Sequence, residues 1–143
     1  MSIHQISVFL ENRAGQLAEI TQLLAENHVN LRAISIAETS DYGVARMIVD
    51  DCQKASSILL EHGDILSMTP VWAVEVPDRP AGLAELLAVL AENHIDVEYM
   101  YSLFSHDSGY AYMVLRISDE IAFINAAKAS GIRIVSAADL GLK

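Results

Sequence analysis

Two short segments of this sequence have the residue types needed to hold a small zwitterion. They read Asn12-Arg13-Ala14-Gly15 and Asp78-Arg79-Pro80-Ala81-Gly82, and each lies between a predicted strand and a predicted helix. The unpaired backbone amides and the positive dipole end of such a helix attract a carboxylate. The small residues keep the approach open, and the side chain of Asn12 or Asp78 can accept hydrogen bonds from an ammonium group. The pattern indicates a site for an α-amino acid.

The same segments also have a purely structural interpretation. Asparagine or aspartate followed by small residues is an ordinary helix N-cap, and spacing alone favours this interpretation. Arg13 and Arg79 lie inside the segments, where they either steer an anionic ligand or are solvated surface charges. The residues by themselves leave both questions open.

The two segments belong to an internal repeat. Residues 6–50 align with residues 72–116 without a gap, and Leu24-Ala25-Glu26-Asn27-His28 recurs as Leu90-Ala91-Glu92-Asn93-His94. The repeat predicts two domains, residues 1–70 and residues 71–143, with a boundary near Pro70-Val71.

Each repeat contains the same order of predicted elements. Alternating apolar residues predict a first strand, which a helix with one apolar stripe follows. Two strands separated by a polar turn come next, at 31–38 with 43–50 and at 97–104 with 109–117. Second helices are predicted at 52–62 and 119–130, ended by Gly63 and Gly131, before a short last strand. This order predicts the α+β class: two tandem ferredoxin-like βαββαβ units, each a four-stranded antiparallel sheet with two helices on one face.

Both faces of the predicted third strand are apolar. In the first repeat Ala45, Met47 and Val49 point one way, while Val44 and Ile48 point the other. A sheet with helices on one side only needs a polar outer face, so this face should pack on the other repeat or on another subunit. We therefore expect a homodimer.

Composition argues against several classes of function. Nine basic against nineteen acidic residues give a net charge of −10, which repels nucleic-acid phosphates. The apolar runs are far shorter than the roughly 20 residues that cross a bilayer. No secretory signal is recognisable, so we expect a cytoplasmic protein with no nucleic-acid or membrane partner. Cys52 is the single cysteine, which excludes an intramolecular disulfide and favours an unreactive thiol.

The remaining polar residues do not form a catalytic or metal-binding set. The acidic residues are dispersed, so we expect no metal and no other cofactor, and Asp50-Asp51 is interpreted as a helix cap. His28 and His94 occupy matching helix-end positions, where packing or capping is favoured over a ligand role. No nucleophile–base or acid–base set falls at one predicted site, so we expect no enzymatic activity.

The two turn segments resemble the signature of a known family. Extended to Gln16-Leu17-Ala18 and to Leu83-Ala84, they are similar to the Asp-x-Pro-Gly-x-Leu-Ala signature of ACT domains. Residues 30–38, 41–46 and 95–101 support a resemblance to stand-alone tandem ACT proteins that covers nearly the whole chain. The first copy departs from the signature at Asn12 and Ala14, and the second copy has Ala81 where glycine is usual, with Gly82 one place later.

The resemblance implies a regulatory module that binds a free amino acid between paired ACT units, and it reverses the preference for the cap interpretation. The turn of one unit would hold the carboxylate and amine of the ligand, and the second strand of a neighbouring unit would supply the wall. The ligand-binding residues implied are Asn12, Arg13, Ala14, Gly15, Gln16, Leu17, Asp78, Arg79, Pro80, Ala81, Gly82 and Leu83 in the turns, with Ser35, Ile36, Tyr99, Tyr101 and Ser102 in the wall.

Two functions follow as hypotheses. The favoured one is a non-catalytic regulatory protein whose packing changes when a small amino-acid ligand binds, and which signals to a separate partner such as a regulated enzyme. The alternative is an enzyme accessory or docking subunit that binds no small molecule and uses its apolar sheet face for contact.

Overall fold

The computed structural model describes residues 1–104 and 109–143, so the predicted turn at 105–108 lies outside the described residues. The chain divides into two compact units. Residues 4–70 with 141–143 form the first unit, and residues 71–140 with 1–3 form the second unit. The elements are β1 (Ile3–Glu11), α1 (Gln16–Glu26), β2 (Leu31–Glu38), β3 (Tyr42–Val49), α2 (Cys52–Glu61), β4 (Leu66–Pro77), α3 (Gly82–Glu92), β5 (Val97–Ser102), β6 (Tyr110–Ile117), α4 (Glu120–Ser130) and β7 (Ile134–Val135).

Five strand pairs, two in the first unit and three in the second, are antiparallel. In the first unit the order is β2-β3-β1-β4, with antiparallel β1–β3 and β2–β3 ladders. In the second unit β6 lies between β4 and β5, and β7 pairs with β4. Strands β2 and β5 therefore lie at sheet edges. The predicted α+β class is confirmed, with antiparallel strands and four helices.

Strand β4 differs from the prediction. The last strand of the first repeat and the first strand of the second form one continuous strand of 12 residues, with Pro70 inside it. The fixed φ of proline suits an extended backbone, and proline interrupts a sheet only where its missing N–H is needed for the ladder. The predicted boundary near Pro70-Val71 thus lies within one strand rather than between two.

Each unit has its own apolar core beneath its two helices. In the first unit Ile20 and Leu24 of α1 share one buried cluster with Leu59 of α2 and with Val8 and Met47 of the sheet. In the second unit the equivalent cluster includes Trp72 and Phe123, whose rings lie 5.4 Å apart. Because both helices of a unit join the same cluster as the strands, the start of each first helix is fixed against its sheet.

The first helix of each unit ends in a Schellman motif. The N–H of Val29 donates to the carbonyl of Leu24 (2.9 Å) and that of His28 to the carbonyl of Ala25 (3.1 Å). His28 itself has φ +58°, and His94 at the matching position has φ +56°. The histidines therefore occupy the left-handed position that usually holds glycine, which confirms the capping interpretation.

Replacing either histidine with glycine should stabilise the protein. The left-handed conformation costs a residue with a Cβ about 1–2 kcal/mol, and glycine adopts it freely. We expect His28→Gly to raise the free energy of unfolding by about 1 kcal/mol, net of the extra freedom of glycine in the unfolded chain. Urea denaturation measures this change in the free energy of unfolding, and His28→Ala is the control that keeps the Cβ. A glycine variant no more stable than the alanine variant would contradict this account.

Candidate functional site

The two predicted ligand-binding turns connect β1 to α1 and β4 to α3. Helix α1 is preceded by Gly15 (φ +89°) and helix α3 by Ala81 (φ +70°), and neither helix has a side-chain cap. By contrast, Asp51 caps α2 by accepting a hydrogen bond from the N–H of Lys54. The cap interpretation of Asn12 and Asp78 was therefore wrong, because the turn places both residues three positions before the N-cap.

The first turn leaves backbone donors unused. The first hydrogen bond at the start of α1 runs from the N–H of Glu19 to the carbonyl of Gly15 (3.0 Å). Gly15 is exposed, and a Cβ added to it would have nothing within 4 Å. At the start of α1, the amides of Gln16, Leu17 and Ala18 find no acceptor in the described part of the chain. Together they form the positive end of the helix dipole.

The second turn is more closed. The N–H of Gly82 donates to the carbonyl of Arg79 (3.0 Å), so at the start of α3 the amides of Leu83 and Ala84 are the ones that find no acceptor among residues 1–104 and 109–143. Gly82 is buried, and a Cβ on it would lie 2.0 Å from the carbonyl oxygen of Pro77. Glycine is required here for backbone packing, so its predicted role of keeping a ligand approach open was wrong.

The two polar residues that begin the turns have different surroundings. The side-chain amide of Asn12 donates to the carbonyl of Ser40 in the β2–β3 turn, over 3.5 Å. The backbone N–H of Asp78 donates to the carbonyl of Gly109 (2.8 Å). The side-chain oxygen of Asn12 and the carboxylate of Asp78 are exposed at the surface, where they can accept hydrogen bonds from an ammonium group.

The turn arginines are held by glutamates. Arg13 makes two hydrogen bonds to Glu19, of 3.2 and 2.9 Å, and Arg79 makes the same pair to Glu85, of 3.2 and 2.8 Å. These bidentate contacts clamp each turn to the first turn of its helix. The hydrogen bonds lower the pKa of Glu19 and raise that of Arg13. Both side chains are about half exposed, at 46 % for Arg13 and 52 % for Arg79, which agrees with the interpretation as solvated surface charges, and a role in steering a ligand stays a prediction.

The Arg13–Glu19 clamp should make a small, pH-dependent contribution to stability. Because the pKa of Glu19 is lowered in the folded state, the contribution is present above the ordinary pKa of 4.5 and is lost as the pH falls through the lowered value. We expect Glu19→Gln to lower the melting temperature slightly at neutral pH and low salt, with no difference from the native protein in strong acid. Glu61→Gln, at an exposed position of α2, is the control. If the melting temperature of Glu19→Gln stayed below that of the native protein in acid, the substitution would act through something other than the ion pair.

The predicted wall residues do not lie beside the turn of their own unit. Ile36 pairs with Ala45 of β3, which pairs in turn with Val8 of β1. Two strand spacings of about 4.8 Å thus separate β2 from β1. Ser35 is half-buried and Ile36 is 45 % exposed, both on an edge strand.

The wall residues of the second unit lie on the edge strand β5. Tyr99 and Tyr101 stack with ring centroids 6.4 Å apart, and Tyr101 is only 9 % exposed. Ser102 is exposed at the end of the strand. Within one unit, the structure therefore brings the turn residues together but not the wall residues with them.

A cavity behind each turn was not predicted from the sequence. In the first unit it has a volume of about 180 Å³ and is bounded by the start of α1 and by the α2–β4 loop, including His62 and Asp64. In the second unit the equivalent cavity, of about 330 Å³, is bounded by α3 and by the α4–β7 loop. No pattern in the sequence marked this cavity. Gln16 is buried at the start of α1, but the apolar stripe of the helix gives no reason to expect a buried polar residue there.

The sequence of residues 1–137 matches a family described as an ACT domain pair. The chain belongs to this family. Among solved structures, this ACT domain pair is similar to protein BT0572 from Bacteroides thetaiotaomicron, with a TM-score of 0.91 and 35 % identity over 99 % of this chain and 96 % of that one. No curated protein matches the chain.

Two further structures share the fold of this ACT domain pair at low identity. The regulatory subunit of aspartate kinase from Thermus thermophilus, in its ligand-free form, has a TM-score of 0.65 and 17 % identity over 88 % of this chain and 91 % of that one. The aspartokinase alpha and beta subunits have a TM-score of 0.57 and 16 % identity over 91 % of this chain and 97 % of theirs. The sequence-based resemblance to ACT domains is confirmed.

Cys52 is the single thiol of this ACT domain pair, and it is buried. This burial, with a smaller effect from Asp51, raises the pKa of the thiol to about 11. The described residues contain no group of three or more His, Cys, Asp or Glu side chains placed to hold a metal ion. Within the same residues, every helix is too short or too polar to cross a membrane.

Proposed function

We propose that this ACT domain pair is a non-catalytic regulatory protein that binds a free amino acid at the first turn and signals to a separate partner. The observation that carries the proposal is the set of unpaired amides of Gln16, Leu17 and Ala18 beside the open Gly15. Helix openings of this kind bind carboxylates, because their N–H groups and the helix dipole act together. Asn12 is placed to accept hydrogen bonds from the amine of the same ligand.

The first turn is the better candidate of the two. In the second turn the amide of Gly82 is already bonded, and the carbonyl of Pro77 packs against that glycine. Ala81 also adds a methyl group at the position where the first turn has Gly15. These differences favour one ligand per chain.

A second copy of the chain would complete the site. Each unit is best described as a ferredoxin-like βαββαβ fold with a four-stranded antiparallel sheet, whose edge strand, β2 or β5, is open to another unit. A neighbouring edge strand could then place Ser35 and Ile36, or Tyr99, Tyr101 and Ser102, against the ligand. We therefore include a homodimer in the proposal, and light scattering after size exclusion tests it.

The ligand would act by favouring one packing of the units over another. A ligand shifts such an equilibrium only as far as its affinities for the two states differ, which a site shared between two copies provides. The similarity in fold to the regulatory subunit of aspartate kinase supports a role beside a separate enzyme.

A docking function is the second candidate, and one surface favours it. On the sheet of the first unit Phe9 and Tyr42 stack at 5.3 Å, and Phe9, Tyr42 and Ile65 are 38 %, 42 % and 71 % exposed. Exposed apolar clusters of this kind are typical of protein contact surfaces.

Calorimetric titration of the full chain with each of the twenty amino acids separates the two candidates. The regulatory proposal predicts saturable binding of one amino acid, or of a small related group, with one ligand per chain. A flat panel at millimolar ligand would end the amino-acid proposal and leave the docking function.

A further inference from the structure

The cavity behind the first turn has a polar wall built by two elements. It lies where the start of α1 faces the loop from α2 to β4, and its volume is about 180 Å³. A cavity of this size has room for the end of a side chain but not for a large ligand. Gln16 links it to the proposed amino-acid site, because this residue lines the cavity and also carries one of the free amides of α1.

An aspartate–histidine pair orients one side of this wall. The Oδ2 atom of Asp64 lies 2.8 Å from Nδ1 of His62, and the side chain of Asp64 is only 7 % exposed. A carboxylate at Nδ1 holds the proton there, so Nε2 of the ring is left as an acceptor when the imidazole is neutral. His62 is 39 % exposed, and its free nitrogen is within reach of a ligand.

Gln16 supplies the other side of the polar wall. It is a helix-start residue with only 8 % exposure, and its Oε1 atom is buried without a hydrogen-bond partner among the described residues. Buried amide oxygens in folded proteins nearly always have a donor, so an orphaned one indicates a missing partner. A ligand group that donates a hydrogen bond would supply it after rotation of the side-chain amide.

The second unit provides an internal comparison. At the positions that match Gln16, His62 and Asp64 it has Gly82, Ser130 and Ile132. The equivalent cavity of about 330 Å³ therefore lacks the amide and the imidazole, and its charged lining residues are Glu75, Glu85 and Arg133. The combination of Gln16 with the His62–Asp64 pair is a property of the first unit and not of the repeated fold.

We infer that this cavity receives the side chain of the bound amino acid and is complementary to a carboxamide, as in asparagine or glutamine. The inference rests on the proposed function, since the turn must hold the backbone of the ligand. A carboxamide donates through its NH₂ group to His62 Nε2 and Gln16 Oε1, and its oxygen accepts from Gln16 Nε2.

Charge in the wall argues against an acidic side chain. Glu11, Asp64 and Arg13 line the cavity, and the guanidinium of Arg13 is already bonded to Glu19. A side-chain carboxylate would therefore face two like charges. An ammonium group can only donate hydrogen bonds, so it cannot pair with Nε2 of Gln16, whereas a carboxamide both donates and accepts.

The test compares five amino acids by calorimetric titration of the full chain: asparagine, glutamine, aspartate, glutamate and leucine. We expect asparagine or glutamine to bind at least about tenfold more tightly than its acidic counterpart and than leucine, because unpaired polar groups reject poor matches. Gln16→Leu and His62→Ala should each remove that preference. Ser130→Ala, the second-unit match of His62, should leave it unchanged.

The outcomes distinguish failure of this inference from failure of the proposed function. Gln16→Leu removes the orphaned amide, so it should fold with undiminished thermal stability, and it carries the test if His62→Ala, which leaves the buried carboxylate of Asp64 without its partner, is destabilised. If a charged or apolar amino acid binds as tightly as the amides, or if both variants keep the amide preference, the inference is overturned while amino-acid binding stands. If none of the twenty amino acids binds, the proposed function fails and the inference fails with it.

Discussion

Gly82→Ala should destabilise the protein by about 3 kcal/mol or more, which corresponds to a fall in melting temperature of about 10 °C. The added Cβ would lie 2.0 Å from the carbonyl oxygen of Pro77, and this contact cannot be relieved by moving a flexible side chain. The backbone of β4 or the start of α3 must shift instead, which disturbs Leu86 in the core of the second unit.

Gly15→Ala is the matched control for this prediction. The two glycines occupy neighbouring positions in the equivalent turns, but Gly15 has open space around it and only its φ of +89° opposes a side chain. We expect a loss of about 1 kcal/mol. Thermal and urea denaturation of both variants measure the difference. Equal losses of stability in Gly82→Ala and Gly15→Ala would mean that the second turn is packed no more closely than the first.

A bound amino acid should produce the other large effect. A ligand that binds only the folded protein adds about 2.7 kcal/mol of stability at a concentration one hundred times its Kd. For a chain of this size the melting temperature should rise by roughly 8 °C. Differential scanning fluorimetry with the best amino acid from the titrations measures this, and a structurally unrelated amino acid serves as the blank.

Ala18→Pro removes one of the proposed donors without changing a charged or polar side chain. The amide of Ala18 has no acceptor among the described residues, so proline at this place in the first turn of α1 deletes no helical hydrogen bond. We expect the ligand-induced rise in melting temperature to disappear in Ala18→Pro. Ala84→Pro makes the same change in α3 and should keep the full rise, once each variant is compared with its own ligand-free melting temperature. A full rise in Ala18→Pro, or its loss in Ala84→Pro, would place the ligand elsewhere.

The elements of the fold follow directly from sequence patterns. Strand β2 (Leu31–Glu38) and the ends of α2 and α4 near Gly63 and Gly131 agree with the alternation and helix-stop signals. The continuous strand β4 could not be predicted, because Pro70 is compatible with both a turn and an extended backbone. Local sequence patterns locate helices and strands well, but they do not show whether two successive strands join into one continuous strand.

The candidate site was only partly accessible to sequence analysis. Turn composition identified the helix openings, and side-chain spacing suggested caps at Asn12 and Asp78 that the left-handed residues Gly15 and Ala81 rule out. The clamps from Arg13 and Arg79 depend on the angle at which the turn meets its helix, which spacing does not determine. The cavity beside Gln16 depends on contacts between residues far apart in the chain.

The most direct test of the account is to observe the amides of α1 during a titration. In ¹H–¹⁵N correlation spectra of the labelled protein, the amino acid that binds should move the signals of Gln16, Leu17 and Ala18 the most, because new hydrogen bonds to a carboxylate form there. The signals of Leu83 and Ala84 should change far less. Saturable binding with those α1 signals unmoved would show that the opening of α1 is not where the amino acid is held.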